Sequence, residues 1–214
     1  MEIKPEASLS HLLKDLKTAT PAKQERTELR SIVNAFEDRG FAVLLFFLAL
    51  PAALPVPAIG INMIIALPIL LLTIQQIAGR HKIWLPEKVK ARTMKTGHLH
   101  SFIDKSIPFV TFIEKFVSTR LDILCSPYFT RVLGVFGTLF ALSITLPIPL
   151  TNTVPAMAIA LMAIGIILKD GIAVILGILL GLFWISLLSY VIIFFGTEGV
   201  ELIKEVIKGW IGLN

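Results

Sequence analysis

Arg39 and Arg131 lie 92 residues apart, and each stands just ahead of a long run that contains no charged residue. A guanidinium in that position is an interfacial anchor or, through its planar fork of donors, a ligand for phosphate. A second set of polar side chains sits beside prolines. Asn62 follows Pro55-Val56-Pro57; Ser143 and Thr145 precede Pro147-Ile148-Pro149, and Thr151, Asn152 and Thr153 follow it. Amides and hydroxyls at such breaks either satisfy the backbone groups that proline frees or line a polar substrate cavity. The candidate substrate-binding residues are therefore Arg39, Pro55, Pro57, Asn62, Arg131, Pro147, Pro149, Thr151 and Asn152.

Acid–base, nucleophilic and metal chemistry have little to work with. His98 and His100 lie in a basic segment with no acid nearby, which reads as a solvated pair. The single cysteine, Cys125, cannot form an intramolecular disulfide or a multi-cysteine metal site. No HExxH, Gly-x-Ser-x-Gly or phosphate-cradling glycine loop is present. Intramembrane acids mark proton relays, and the long apolar runs hold none, which argues against a simple ion-coupled pump. Asp170 is the one acid bordering two apolar runs, and beside Lys169 it reads as a helix-end charge. The expectation is a protein without catalytic residues, metal or cofactor.

The elements that must carry these residues are apolar. Of 214 residues, 55% are hydrophobic and 16% charged, and the mean hydropathy is +0.81. That composition predicts an all-α integral membrane protein. Charged residues are missing from Phe41 to Gly79, from Val132 to Leu168 and from Gly171 to Thr197. The first forty residues mix seven basic with seven acidic side chains, so the apolar runs, and not a signal peptide, are expected to direct insertion. Six cations between Arg80 and Lys95 face one acid, Glu87, which places that loop in the cytoplasm; the mildly acidic tail after Thr197 can face outward. Next to a membrane span, and with Trp84 as its one aromatic, the loop suits anionic lipid and not nucleic acid.

A shift of 92 residues also sets Leu54-Pro55-Val56-Pro57 on Leu146-Pro147-Ile148-Pro149 and Gly79 on Gly171. Such internal repeats are characteristic of transporters whose sites form from discontinuous helices. Proline removes a donor and clashes with the preceding turn, so each helix should stop at its break. Phe41–Leu50 would then be a half-helix of about 15 Å and Val132–Thr145 one of about 21 Å, against a hydrocarbon core of roughly 30 Å. The simplest arrangement is two re-entrant hairpins that return to the cytoplasmic side. The expected units are 1–40, amphipathic helices; 41–79, the first hairpin; 80–131, basic loop and amphipathic helix; 132–171, the second hairpin; 172–197, a transmembrane helix; and 198–214, an amphipathic tail.

Four amphipathic stripes are predicted in the membrane interface or against the membrane domain: Leu9, Leu12, Leu13 and Leu16; Leu29, Ile32, Val33 and Phe36, with Gly40 as cap; Phe109, Phe112, Ile113, Phe116 and Val117; and Ile203, Val206, Ile207, Trp210 and Ile211. In the last apolar run, Gly177 and Gly181 have the small-xxx-small spacing of closely packed membrane helices, within the chain or in a homo-oligomer.

Arg39-Gly40-Phe41, Ala49-Leu50-Pro51, Leu54-Pro55-Val56-Pro57 with Gly60, Gly79-Arg80, Trp84-Leu85-Pro86, Leu146-Pro147-Ile148-Pro149, Asn152, Pro155-Ala156 and Lys169-Asp170-Gly171 together resemble the bacterial ExoD membrane proteins. The resemblance runs from about Ser8 to Gly196 and departs at Thr151, where glycine often precedes the asparagine. It implies a bacterial inner-membrane protein connected with exopolysaccharide synthesis, and supplies no catalytic residues. Two functions follow as expectations. The first is binding or translocation of a lipid-linked intermediate, such as a polyprenyl phosphate or anionic lipid, at a cavity between the proline elbows. The second is a noncatalytic membrane scaffold for polysaccharide synthesis components. Convergence of Arg39, Arg131, Asn62 and Asn152 on one cavity would favour the first.

Overall fold

The described parts of the uncharged runs and most of the amphipathic stripes fold as helices. The computed structural model describes residues 8–20, 25–36, 39–54, 61–80, 82–146 and 152–211. In chain order its elements are α1 (Leu9–Ala19), β1 (Arg26–Glu28), α2 (Leu29–Ala35), α3 (Gly40–Ala53), α4 (Ile61–Ile77), α5 (Glu87–Lys90), β2 (Thr93–Lys95), α6 (Thr96–Glu114), a 3-10 turn (Asp122–Cys125), α7 (Pro127–Thr145), α8 (Thr153–Leu168) and α9 (Gly171–Ile211). Pro55, Pro57, Pro147, Pro149 and Thr151 lie outside the described residues, as does the side chain of Asn62.

The core forms where α3 lies on α8, α4 on α7 and α8 on α9. Small residues make the approach close: Ala42, Ala49 and Ala52 on α3 and Ala156, Ala158 and Ala163 on α8 are all buried, and Phe46, Phe140 and Ile159 are buried in the same core. On the α4–α7 seam a Cβ at Gly134 would sit 2.9 Å from the Thr73 carbonyl oxygen, and Thr138 donates a 2.9 Å hydrogen bond to the Thr73 hydroxyl. The buried Thr73 hydroxyl is thus satisfied locally within an apolar seam. Gly177 faces Met162 and Ala158 of α8, and Gly181 faces the Phe140 ring, so both glycines pack within the chain.

Three sequence expectations need correction. The first helix does not stop at Leu50: α3 continues through Pro51 to Ala53, fourteen residues or about 21 Å. Pro51 lies in the last turn, so it removes one hydrogen bond near an end that must open anyway, and fully buried Ala49 and Ala52 hold that turn by packing. Helices α4 and α6 likewise contain Pro68 and Pro108. Gly40 does not cap α2, which ends at Ala35; it opens α3, where a Cβ would come within 3.1 Å of Ile83. The fold is also not purely helical. Arg26, Thr27 and Glu28 pair antiparallel with Lys95, Met94 and Thr93, and the buried Thr27 and Thr96 hydroxyls lie 2.9 Å apart. Three-residue strands are too short to show a period of two.

Leu9, Leu13 and Leu16 of α1 are buried, and α1 packs on α6, whose own buried positions are Leu99, Ile103 and Val110. Glu114 ties the pair by accepting from the Ser8 and Ser10 hydroxyls and the Ser10 amide. Helix α6 exposes Phe102, Phe109 and Phe112, and Phe116 in the turn after it is exposed as well. Among the described residues two helices are long and apolar enough to cross a membrane, Tyr128–Thr145 and Gly171–Phe194, while Gly40–Ala53, Ile64–Ile77 and Thr153–Leu168 are apolar but shorter. Gly196, at φ 58° and ψ −145°, breaks α9 where the sequence places the end of the last apolar run.

Candidate functional site: a cationic basin

Each pair of apolar helices runs out and back, so α3 and α7 start at the end of the bundle where α4 and α8 finish. Arg39 precedes α3, Arg131 lies in the first turns of α7, Arg80 follows α4 and Lys169 follows α8. These four cations line one cavity of about 700 Å³, walled also by Phe41, Gln76, Tyr128 and Ile166. No carboxylate lines it among the described residues. Four positive charges on low-dielectric walls concentrate potential at the mouth, which suits a multiply charged anion. Guanidinium forks add the directionality that phosphate oxygens accept.

The backbone delivers the charges through two like turns. At the end of α4, Arg80 N–H donates to Gln75 C=O at 3.1 Å and Gly79 N–H to Gln76 C=O at 2.9 Å. At the end of α8, Asp170 N–H donates to Gly165 C=O at 2.8 Å and Lys169 N–H to Ile166 C=O at 3.4 Å. Both are Schellman closures, which need a left-handed residue at the fifth position. Gly79 supplies it at φ 69° and Lys169 at φ 56°. The 92-residue shift sets Gly79 on Gly171, yet the residue in the equivalent turn is Lys169. Gly79 also makes room, since a Cβ there would be 2.6 Å from Arg131 Nε and Nη2.

Asp170 stands next to this basin but is spent elsewhere. Its carboxylate is buried and accepts from the backbone N–H groups of Ser118, Ile172 and Ala173, capping the start of α9. In the loop that follows α4, Glu87 has its carboxyl held below the ordinary range, first by the hydrogen bond and charge of Lys90 and then by Arg30. His100 lies 2.7 Å from the Thr20 carbonyl oxygen and so ties α6 to the end of α1.

The structure brings Arg39 and Arg131 together and does not bring Asn152 to them. Asn152 begins α8, a helix of sixteen residues and therefore about 24 Å from the Lys169 end. Its buried Oδ1 and the buried Ser143 hydroxyl have no hydrogen-bond partner among the described residues. Thr145 bonds its own helix, donating to Leu142 C=O at 2.6 Å. Sequence reasoning passed over Arg80 and Lys169 as binding residues because charge at a helix end also serves topology. The usable signal was a cation immediately after each returning apolar run.

The family described as "Exopolysaccharide synthesis, ExoD" matches residues 9–190. An uncharacterized protein of Synechocystis is 30% identical over 188 residues, covering 86% of each chain. The protein named ExoD of Rhizobium meliloti is 30% identical over 151 residues, which are 68% of this chain and 62% of that one. No solved structure matches the chain.

Proposed function

The chain belongs to the ExoD family, which implies involvement in exopolysaccharide synthesis, and we propose that it does this as a multi-pass inner-membrane protein that binds, and helps translocate, a phosphate-bearing lipid-linked intermediate. The carrying observation is the basin: four cations from four helix ends share one cavity whose described lining holds no acid. Beside it, α7 exposes Tyr128, Val132, Val135, Leu139 and Leu142, one helical stripe leading away from Arg131. A headgroup in the basin would leave its chain on that stripe, in lipid. This reading moves the ligand from the proline elbows to the opposite, cytoplasmic end of the hairpins.

Pairing supports two repeated hairpins, and the lengths of three of their four helices support re-entry. Helices of fourteen, seventeen and sixteen residues, α3, α4 and α8, reach about 21, 25 and 24 Å, short of a core of roughly 30 Å. Exchanging α3 with α7 and α4 with α8 turns the α3–α8 contact into the α7–α4 contact, as a two-fold related pair of hairpins requires. Arg39 and Arg131 then sit at equivalent places around one axis. The scaffold reading draws on a different surface, the exposed phenylalanine face of α6. It leaves the clustering of cations unused, so the ligand-binding reading is preferred.

The test is the double variant Arg39→Lys with Arg131→Lys. Lysine still reaches the interface but loses the bidentate fork. Polysaccharide output should fall at unchanged protein level, and phosphate-bearing lipids identified by mass spectrometry in the purified protein should be depleted. Normal output with retained lipid would leave the arginines as anchors only.

A further inference from the structure

The two Schellman turns at the basin differ at the residue where the backbone requires a left-handed conformation. Gly79 adopts φ 69° without steric cost, whereas Lys169 adopts φ 56° with a full side chain. Glycine is the ordinary occupant of such a turn. Nothing in the local packing demands lysine: its side chain is exposed and makes no hydrogen bond or ion pair among the described residues. The turn is nevertheless fixed from both sides. Arg120 N–H donates to the Lys169 carbonyl at 3.2 Å, and Gly171 N–H to the Arg120 carbonyl at 2.6 Å. Residue 169 therefore keeps its conformation whichever side chain it carries, and the one present lines the basin together with Arg80.

We propose that Lys169 is a ligand-binding residue for the phosphate of the lipid-linked substrate, held in a strained left-handed turn that a glycine would fill more stably. The inference deepens the reading of the basin as a lipid-phosphate site and rests on it. At Gly79 the turn stays bare so that the Arg131 guanidinium can lie over it; at residue 169 the turn itself contributes the cation. Lysine brings a compact charge on a flexible stem, which can follow a phosphate that moves, whereas the arginines hold a fixed geometry. The ammonium donates to phosphate oxygens and forms no covalent bond.

The experiment compares the purified full-length protein with Lys169→Gly and Lys169→Arg, reading thermal unfolding and the affinity for farnesyl phosphate, with inorganic phosphate as a second probe. Lys169→Gly should unfold at the same temperature or higher and bind farnesyl phosphate at least fivefold more weakly, with Lys169→Arg recovering most of the affinity. Equal affinity in the glycine variant overturns the role of Lys169 while leaving the basin reading intact. A lower unfolding temperature for Lys169→Gly also overturns it, since the lysine would then serve the fold. Failure of the unaltered protein to bind farnesyl phosphate removes the lipid-phosphate reading and this one with it. Inorganic phosphate bound as tightly as farnesyl phosphate would refute a lipid-linked ligand.

Discussion

The exits from α4 and α8 close with the same pair of backbone hydrogen bonds, yet they are fastened by different chemistry. After α4 the chain enters a loop, and the buried Gln75 amide holds it: Trp84 N–H donates to Gln75 Oε1 at 2.7 Å, and Gln75 Nε2 donates to the Trp84 carbonyl at 3.0 Å. After α8 the chain turns at once into α9, and the fastener is the Asp170 carboxylate, which only accepts and so meets three backbone N–H groups. A carboxylate also suits the positive end of a helix dipole. The difference shows how a basin can stay cationic beside an acid. One exit uses a neutral side chain, and the other turns its carboxylate oxygens onto backbone donors. Asp170 forms no ion pair with Arg80, Arg131 or Lys169 among the described residues.

Alanine at the two left-handed positions breaks the comparison most sharply. Gly79→Ala should destabilise the protein by about 2 kcal/mol, because a side chain enters a left-handed turn and the Arg131 guanidinium must move away. Lys169→Ala should cost close to nothing, since lysine already bears the same steric penalty. Unfolding midpoints of the two variants decide it, and equal losses would mean that the turns are not equivalent. The fasteners come next. Gln75→Ala and Asp170→Ala should each lose about 1 kcal/mol, by leaving Trp84 groups unpaired and by removing a helix cap respectively. Asp170→Ala should leave phosphate affinity unchanged. Affinity that rises severalfold would show that the carboxylate does neutralise the basin.

Most of the helical layout was legible because apolar runs and helix stripes depend on local pattern. Of the stripe Leu9, Leu12, Leu13 and Leu16, Leu12 is half-buried and the other three are buried, and the last apolar run ends at the Gly196 break. Pro51 lies inside α3 and does not end it because tertiary packing of Ala49 and Ala52 outweighs a local breaker, which sequence alone does not weigh. Arg39 and Arg131 were legible as a pair from their spacing, and a spacing of 92 residues carries no distance. Their meeting depends on α3 and α7 starting at one end of the helix bundle. Lys169 was harder still. Its left-handed turn belongs to a residue type that gives no such signal, and the pattern set glycine two positions later. The proline elbows are a different case, for Pro55, Pro57, Pro147, Pro149 and Thr151 lie outside the described residues.

The smallest effect concerns the loop that only the first exit has. Glu87 is fully exposed and pairs with Lys90 and with Arg30 of α2, so its carboxyl titrates below its ordinary value of 4.5. A depressed folded-state value means that the ionised carboxylate favours the folded loop. That contribution is complete above the ordinary value and is lost as pH falls through the lower folded value. Solvent screening keeps an exposed pair weak, so the change is slight. The unaltered protein should therefore show a small drop in unfolding midpoint between about pH 6 and about pH 3 that Glu87→Gln reduces, with the variant slightly less stable at the upper pH. Lys169→Ala should leave the drop unaltered, because the second exit has no such loop. A Glu87→Gln protein with the full pH response would place the titrating group elsewhere, and the loop would then be held by the Gln75–Trp84 pair and the short ribbon alone.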